Sequence, residues 1–195
     1  MTEKFLLYEY DTDPDGTGKK NRIPYLLGTP AAKRVVSCEP LLGEVDLSEY
    51  LARLHWVLCG GESGHNARPM HPRWVRSLRD QCDDAGTAYW FKQWGEWMPI
   101  TQIGTWNPEK YFYNIGGYSV APQYYDAFVQ ASKRNQWGCL DIHGEYNSLT
   151  TTWNGRDGNA DDDYEVSVYR LGRKATGDIL DGQQWHQVPE RGSNA

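Results

Sequence analysis

What this 195-residue chain lacks narrows its class before any motif is read. It has only four cysteines, at 38, 59, 82 and 139, never closer than 21 residues apart. That spacing excludes a zinc knuckle or an iron–sulfur triplet, both of which need ligands a few residues apart. Dispersed thiols in strand-like and helix-like runs read instead as buried free cysteines of a reducing compartment. No apolar run approaches the roughly 18 residues of a membrane span, and the start, MTEKFLLYEYDTD, is acidic where a secretory leader would be basic and apolar. The expectation is a cytoplasmic protein with no membrane partner. Nor is there an excess of positive charge: the net charge is −6, so bulk nucleic-acid binding, which rests on phosphate neutralisation, is not expected.

The charge is unevenly spread. Residues 1–18 carry −4, 19–98 carry +2, 99–169 carry −5 and 170–195 carry +1. This divides the chain into an acidic N-terminal arm and connector (1–21), a mildly basic block (22–98), an acidic insertion (99–169) and a C-terminal segment (170–195) expected to pack back on the block. Mean hydropathy is low, −0.74, yet nine Trp and thirteen Tyr supply large buried area per residue.

Within the basic block three short apolar runs, KRVVSCEPLL (33–42), LHWVLCGGESG (54–64) and TAYWFKQWGEW (87–97), alternate with helix-sized stretches. Near-continuous apolar strands separated by amphipathic helices are the pattern of parallel βα units, whose strands are covered on both faces. Strands are expected at 34–37, 55–59 and 88–92, with short helices over 22–28 and 47–54. The clearest helix begins at Pro72 behind His71, shows one apolar stripe (Trp74, Val75, Leu78, Cys82, Ala85) and stops at Gly86. Arg76 with Asp80 and Arg79 with Asp83 are placed for i,i+4 pairs on its outer face. The insertion is Gly-, Asn-, Trp- and Tyr-rich and is expected to be irregular, apart from a helical period over 121–133 and an alternating strand over 164–171.

In parallel α/β folds chemistry collects at the carboxyl ends of the strands. Those ends hold Ser37, Cys38 and Glu39, then Gly60, Gly61, Glu62 and Ser63, then Lys92 and Gln93, with Arg68 in a following loop. These ten residues form the candidate pocket. Glu39 and Glu62 could face a ligand, or cap helices and pair with Arg68; Lys92 could hold a carboxylate or phosphate beside Trp94, or only neutralise Glu39 or Glu62. Gly60 and Gly61 suit either close ligand approach or a tight turn. His65 and His71, six apart in a loop, lack a metal signature, and capping accounts for His71. Asp157, Asn159 and Asp161 begin like a calcium loop but lack the required Gly and Glu, so no metal site is assigned. Trp106, Tyr111, Tyr113, Tyr118, Tyr124, Tyr125 and Trp137 form a candidate protein interface, or else the insertion's own small core.

The phrases SCEPLLG, WVLCGGESG, ARPMHPRWVRSLRDQC, FKQWGEW and GDILDGQQWHQVPE resemble the later half of a phage and bacterial family of uncharacterised proteins related to radical-SAM enzymes. The similarity spans roughly 22–98 and 173–190, about half the chain. It implies an α/β fold of three parallel βα units from a partial TIM-type barrel, with the Gly60–Gly61–Glu62 turn as a contact for S-adenosylmethionine. It also implies a [4Fe-4S] cluster on a cysteine triplet upstream of Arg22, where this chain has no cysteine. Catalytic residues are therefore not assigned. Two readings follow: a cluster-free interaction protein with a protein partner or self-association, or the carboxyl-terminal subunit of a split enzyme. In the second, S-adenosylmethionine and the cluster come in only with a complementary half. An open barrel edge would favour partnering in both.

Overall fold

The computed structural model describes residues 5–9, 23–106, 118–120, 124–134, 136–140, 146–147 and 166–190, with backbone alone at 5–9, 104–106, 118–120, 132 and 147. The three expected strands are present as β2 (Lys33–Cys38), β3 (Trp56–Gly60) and β4 (Ala88–Gln93), all parallel and adjacent in chain order. A fourth, β1 (Phe5–Glu9), lies parallel to β2 where a connecting arm was expected, so the sheet runs β1-β2-β3-β4. Its five residues FLLYE are a strand-length apolar run masked in the sequence by acidic flanks. Among the described residues the sheet is open, not a closed barrel.

Helix α1 (Ile23–Gly28) leads into β2. The expected helix over 47–54 shrinks to one 3₁₀ turn, Leu51–Arg53. Helix α2 (Pro72–Ala85) matches its sequence signals: the His71 ring accepts from the Arg73 N–H as N-cap, and Gly86 ends it in the left-handed region at φ 67°. Trp74, Val75, Leu78 and Cys82 of its stripe pack with Val36, Cys38, Val57, Cys59, Tyr89 and Phe91 in the main core, while Ala85, expected in the stripe, is exposed at the last turn. Full burial of Val36, Val57, Val75, Leu78 and Phe91 contributes about 1.5–3 kcal/mol each.

The free side of β4 is occupied by the chain's own C-terminus. Phe91 N–H donates to Trp185 O, Gln187 N–H donates to Tyr89 O, and Trp90 pairs antiparallel with His186. The edge expected to need a partner is thus covered on this side from within. This segment is fed by a hairpin, paired between Ile179–Leu180 and Gln183–Gln184, whose two-residue turn Asp181–Gly182 has both φ values positive, at 52° and 83°. Asp-Gly is the sequence signature of that turn.

The insertion is more regular than its composition suggested. Strands β5 (Trp97–Pro99), β8 (Trp137–Leu140), β9 (Tyr146–Asn147) and β10 (Val166–Arg170) form a second, antiparallel sheet of order β5-β10-β8-β9. Helix α3 (Ile100–Ile103) follows β5, and β6 (Gly104–Trp106) pairs with β7 (Tyr118–Val120). Helix α4 (Tyr125–Lys133) places Phe128 against Tyr169 of β10. Because β10 pairs with β5 across some seventy residues of chain, the first and last parts of the insertion are held by one another. No helix among the described residues is long and apolar enough to cross a membrane.

Candidate functional site

The carboxyl ends of β2, β3 and β4 do gather the polar residues read from the sequence, but they pair them with each other. Ser37 Oγ donates to Glu39 Oε1 at 3.0 Å, and Lys92 Nζ meets Glu39 Oε2 at 2.9 Å. The Glu39 side chain is 17% exposed and that of Lys92 58%, so the bridge is a rim contact of modest strength. It crosses β3 directly over Gly60, where an added Cβ would stand 2.9 Å from Glu39 Oε2. Pro40 follows through a cis peptide bond, and Leu41 N–H donates to Gly60 O.

Glu62 is held separately. Arg68 grips it with Nε and Nη2, at 2.9 and 3.0 Å, and adds its backbone N–H at 2.7 Å. The Arg68 side-chain hydrogen bond is the main reason the Glu62 carboxyl sits below its ordinary range. Ser63 Oγ accepts from Gln93 Nε2 at 3.2 Å. The loop between is fixed from the second sheet: Arg170 Nη2 donates to the carbonyls of Gly64 and His65, and Trp97 Nε1 donates to Ala67 O. His65 lies on Asn66.

The glycines serve backbone crossing. A Cβ on Gly61 would be 2.0 Å from Trp94 O, and one on Gly95 would be 2.1 Å from Glu62 O. Two segments of the chain therefore touch main chain to main chain, locked by Gly61 N–H to Gln93 O and Glu96 N–H to Glu62 O. Trp94, a stacking candidate in the sequence, is buried with its indole N–H on Ile179 O.

Cys38 and Cys59 are register partners on adjacent strands, Cys82 faces them from α2, and all three are buried. Desolvation, reinforced by the neighbouring thiols, pushes Cys38 well above its ordinary value, and desolvation pushes Cys59 and Cys82 up to about 12. They are protonated core residues at neutral pH, unsuited to nucleophilic attack. Cys139 sits in the second sheet beside Ser167. Among the described residues no three His, Cys, Asp or Glu side chains converge to hold a metal ion. The calcium-like run at 157–161 lies outside the described residues.

The glycine crossing and the C-terminal hairpin both fall inside one matched region: a model for proteins of unknown function, DUF5131, matches residues 14–189. The chain belongs to the DUF5131 family. No curated protein and no solved structure matches it.

Of the candidate interface residues in this DUF5131 chain, Tyr124 is buried and Trp137 is half-buried, stacking on Tyr169. Tyr125 is 45% exposed. Trp106 and Tyr118 are register partners in β6–β7, while Tyr111 and Tyr113 lie outside the described residues.

Two features were missed from sequence. One is the hub at Asp181, whose carboxylate takes hydrogen bonds from Arg76, Arg79 and Gln102. Arg76 thus reaches across to Asp181 rather than resting on Asp80, and Arg79 divides itself between Asp80 and Asp181. Asp181 offers its two carboxylate oxygens to the two guanidinium groups at once, Oδ1 to Arg76 Nη2 and Oδ2 to Arg79 Nη1, where the sequence spacing points to Asp80 and Asp83. Partial burial would raise the Asp181 carboxyl, but the hydrogen bonds of Arg76 and Gln102 outweigh it and hold it at about 2. The other is a row of rings, Trp56, Trp90 and His186, on the sheet face opposite α2. Strand parity in AYWFKQ could have revealed it, since Tyr89 and Phe91 point inward and Trp90 and Lys92 must then point the other way.

Proposed function

We propose that this chain is a binding protein acting through a protein partner, with the aromatic, acidic module as its contact surface. The observation supporting this reading is the contrast within that module: Tyr125 and Tyr146 are 45% and 38% exposed, whereas Tyr124, Phe128 and Tyr169 are buried. Tyr146 donates its hydroxyl to Trp137 O at 3.3 Å and packs on Trp97, which holds its exposed part in place, and partly exposed tyrosines are what interface patches use. At the rim of the parallel sheet, by contrast, Glu39 and Glu62 are engaged by Lys92 and Arg68 of the same chain. On this reading the chain needs no cofactor of its own.

A second reading, the carboxyl-terminal subunit of a split radical-SAM-like enzyme, draws support from the consecutive parallel order β1-β2-β3-β4 of an open sheet. There Glu39, Glu62 and Lys92 would line a pocket completed by a cluster-bearing polypeptide.

Light scattering over a concentration series, alone and with polypeptides encoded beside this one, separates the two when run next to calorimetric titration with S-adenosylmethionine. The expected result is a mass above the monomer, lost in the Tyr125→Ser, Tyr146→Ser double variant, and no heat with the cofactor. A monomer under every condition overturns the partner reading. Saturable cofactor heat that Glu62→Gln weakens would put the second reading in its place.

A further inference from the structure

The parallel sheet has two unlike faces. One carries Val57, Cys59, Tyr89 and Phe91 under α2. The register sends Trp56 and Leu58 of β3 and Trp90 of β4 to the other, where His186 pairs with Trp90. These four are half-buried, so a row of large apolar side chains keeps part of its surface toward solvent.

The rings are held in a fixed arrangement. Trp90 is at the centre, with Trp56 edge-on at 5.8 Å and 72° and His186 stacked at 4.2 Å and 14°. His186 cannot turn freely: its Nε2 meets Asp178 Oδ2 at 2.9 Å, and Asp178 also accepts from Gln184 Nε2 at 3.1 Å. A half-buried ring row with His186 tied to Asp178 loses less entropy on meeting a flat ligand than free side chains would, and its mixed edge and face presentation suits an aromatic one. Lys92 ends the row. It stands two residues beyond Trp90 on β4, where the β3–β4 register shifts from Cys59–Phe91 to Gly60–Gln93, and its ammonium reaches over Gly60 to Glu39. Glu39 takes only one of its three N–H donors in the Lys92 contact. The carboxylates nearby are already occupied, Glu39 by Ser37 and Lys92, Asp178 by His186 and Gln184.

We infer that this face binds a planar aromatic anion, its ring packed on the Trp56–Trp90–His186 row and its carboxylate, sulfonate or phosphate on Lys92. The rings supply most of the attraction and the Lys92 ammonium supplies orientation, with Glu39 and Asp178 already engaged by Lys92 and His186. This site is separate from the tyrosine surface proposed above and does not depend on it.

The test uses the full chain and 2-naphthalenesulfonate, with 2-naphthylmethanol as the uncharged control and methanesulfonate as the control without a ring. Indole and imidazole NMR signals are followed, with Trp56→Phe and Trp90→Phe used for assignment. The expected result is saturable shifts confined to Trp56, Trp90 and His186 with both naphthyl compounds and none with methanesulfonate. Lys92→Met should weaken the sulfonate about tenfold, the size of one charge-assisted hydrogen bond, and leave the alcohol unchanged. His186→Asn, a change at a half-exposed position that keeps a donor for Asp178, should weaken both. Shifts at other indoles only, no saturation, or equal sulfonate binding by Lys92→Met would overturn the inference.

Discussion

Replacing Asp181 by Asn tests whether the C-terminal hairpin is fastened to α2 by charge. Asn tolerates the positive φ of 52° that the turn requires, so the change removes the charge and leaves the backbone alone. The wild-type carboxylate receives Arg76 Nη2 at 2.8 Å, Arg79 Nη1 at 2.7 Å and Gln102 Nε2 at 2.9 Å. Its carboxyl falls from 3.8 to about 2. At about 1.36 kcal/mol per pH unit this sets a ceiling of about 2.5 kcal/mol. The Asp181 side chain is 30% exposed, and solvent screening lowers the figure to about 1–1.5 kcal/mol. For a chain of this size that is a fall in Tm of about 3–5 °C. The sign with pH follows from the depressed pKa. The stabilisation is complete above the unfolded value near 4 and is lost as pH falls toward about 2, where the protonated carboxyl resembles the amide. Urea unfolding of both proteins from pH 6 down to pH 2 should show a gap that closes through this window. Equal stabilities at pH 6, or a gap that persists undiminished at pH 2, would refute the clamp.

Gly61→Ala and Gly95→Ala should each cost about 3 kcal/mol or more, because the new methyl meets backbone that cannot yield. Gly60→Ala should cost under about 1 kcal/mol, since only the Glu39 carboxylate must move; thermal melts showing the three alike would contradict the backbone-crossing account. The buried, raised thiols of Cys38, Cys59 and Cys82 should resist iodoacetamide in the native state and react only after unfolding. Rapid native labelling of any of them, read by peptide mass, would show that α2 does not seal the core.

Much of the parallel sheet was legible because its signals are local. The runs around Val35, Val57 and Tyr89 are apolar at most positions, which marks them as parallel strands, although β3 and β4 bury one face fully and leave the other half-buried. Trp74, Val75, Leu78 and Cys82 recur at helical spacing between a Pro start and a Gly stop, and the helix lies there. The rim residues were legible as a group for the same reason: consecutive parallel strands bring their carboxyl ends together whatever the side chains are. Which partner each would take was not. Glu39 reaches Lys92 because Gly60, on the strand between, leaves the space for it, and that is a fact of register.

The second sheet shows the opposite case. Trp97–Pro99 and Trp137–Leu140 are three- and four-residue strands with no period to detect. They become strands because β10, far along the chain, pairs with both. Sequence alone determined the elements whose burial pattern repeats within one strand or one helix. Tertiary structure decided the rest: the Asp181 hub, the stacking of His186 on Trp90 and the strand that covers β4 each join groups about eighty residues or more apart. Composition and spacing hold no record of such pairs, since their energies exist only after the chain has closed those loops.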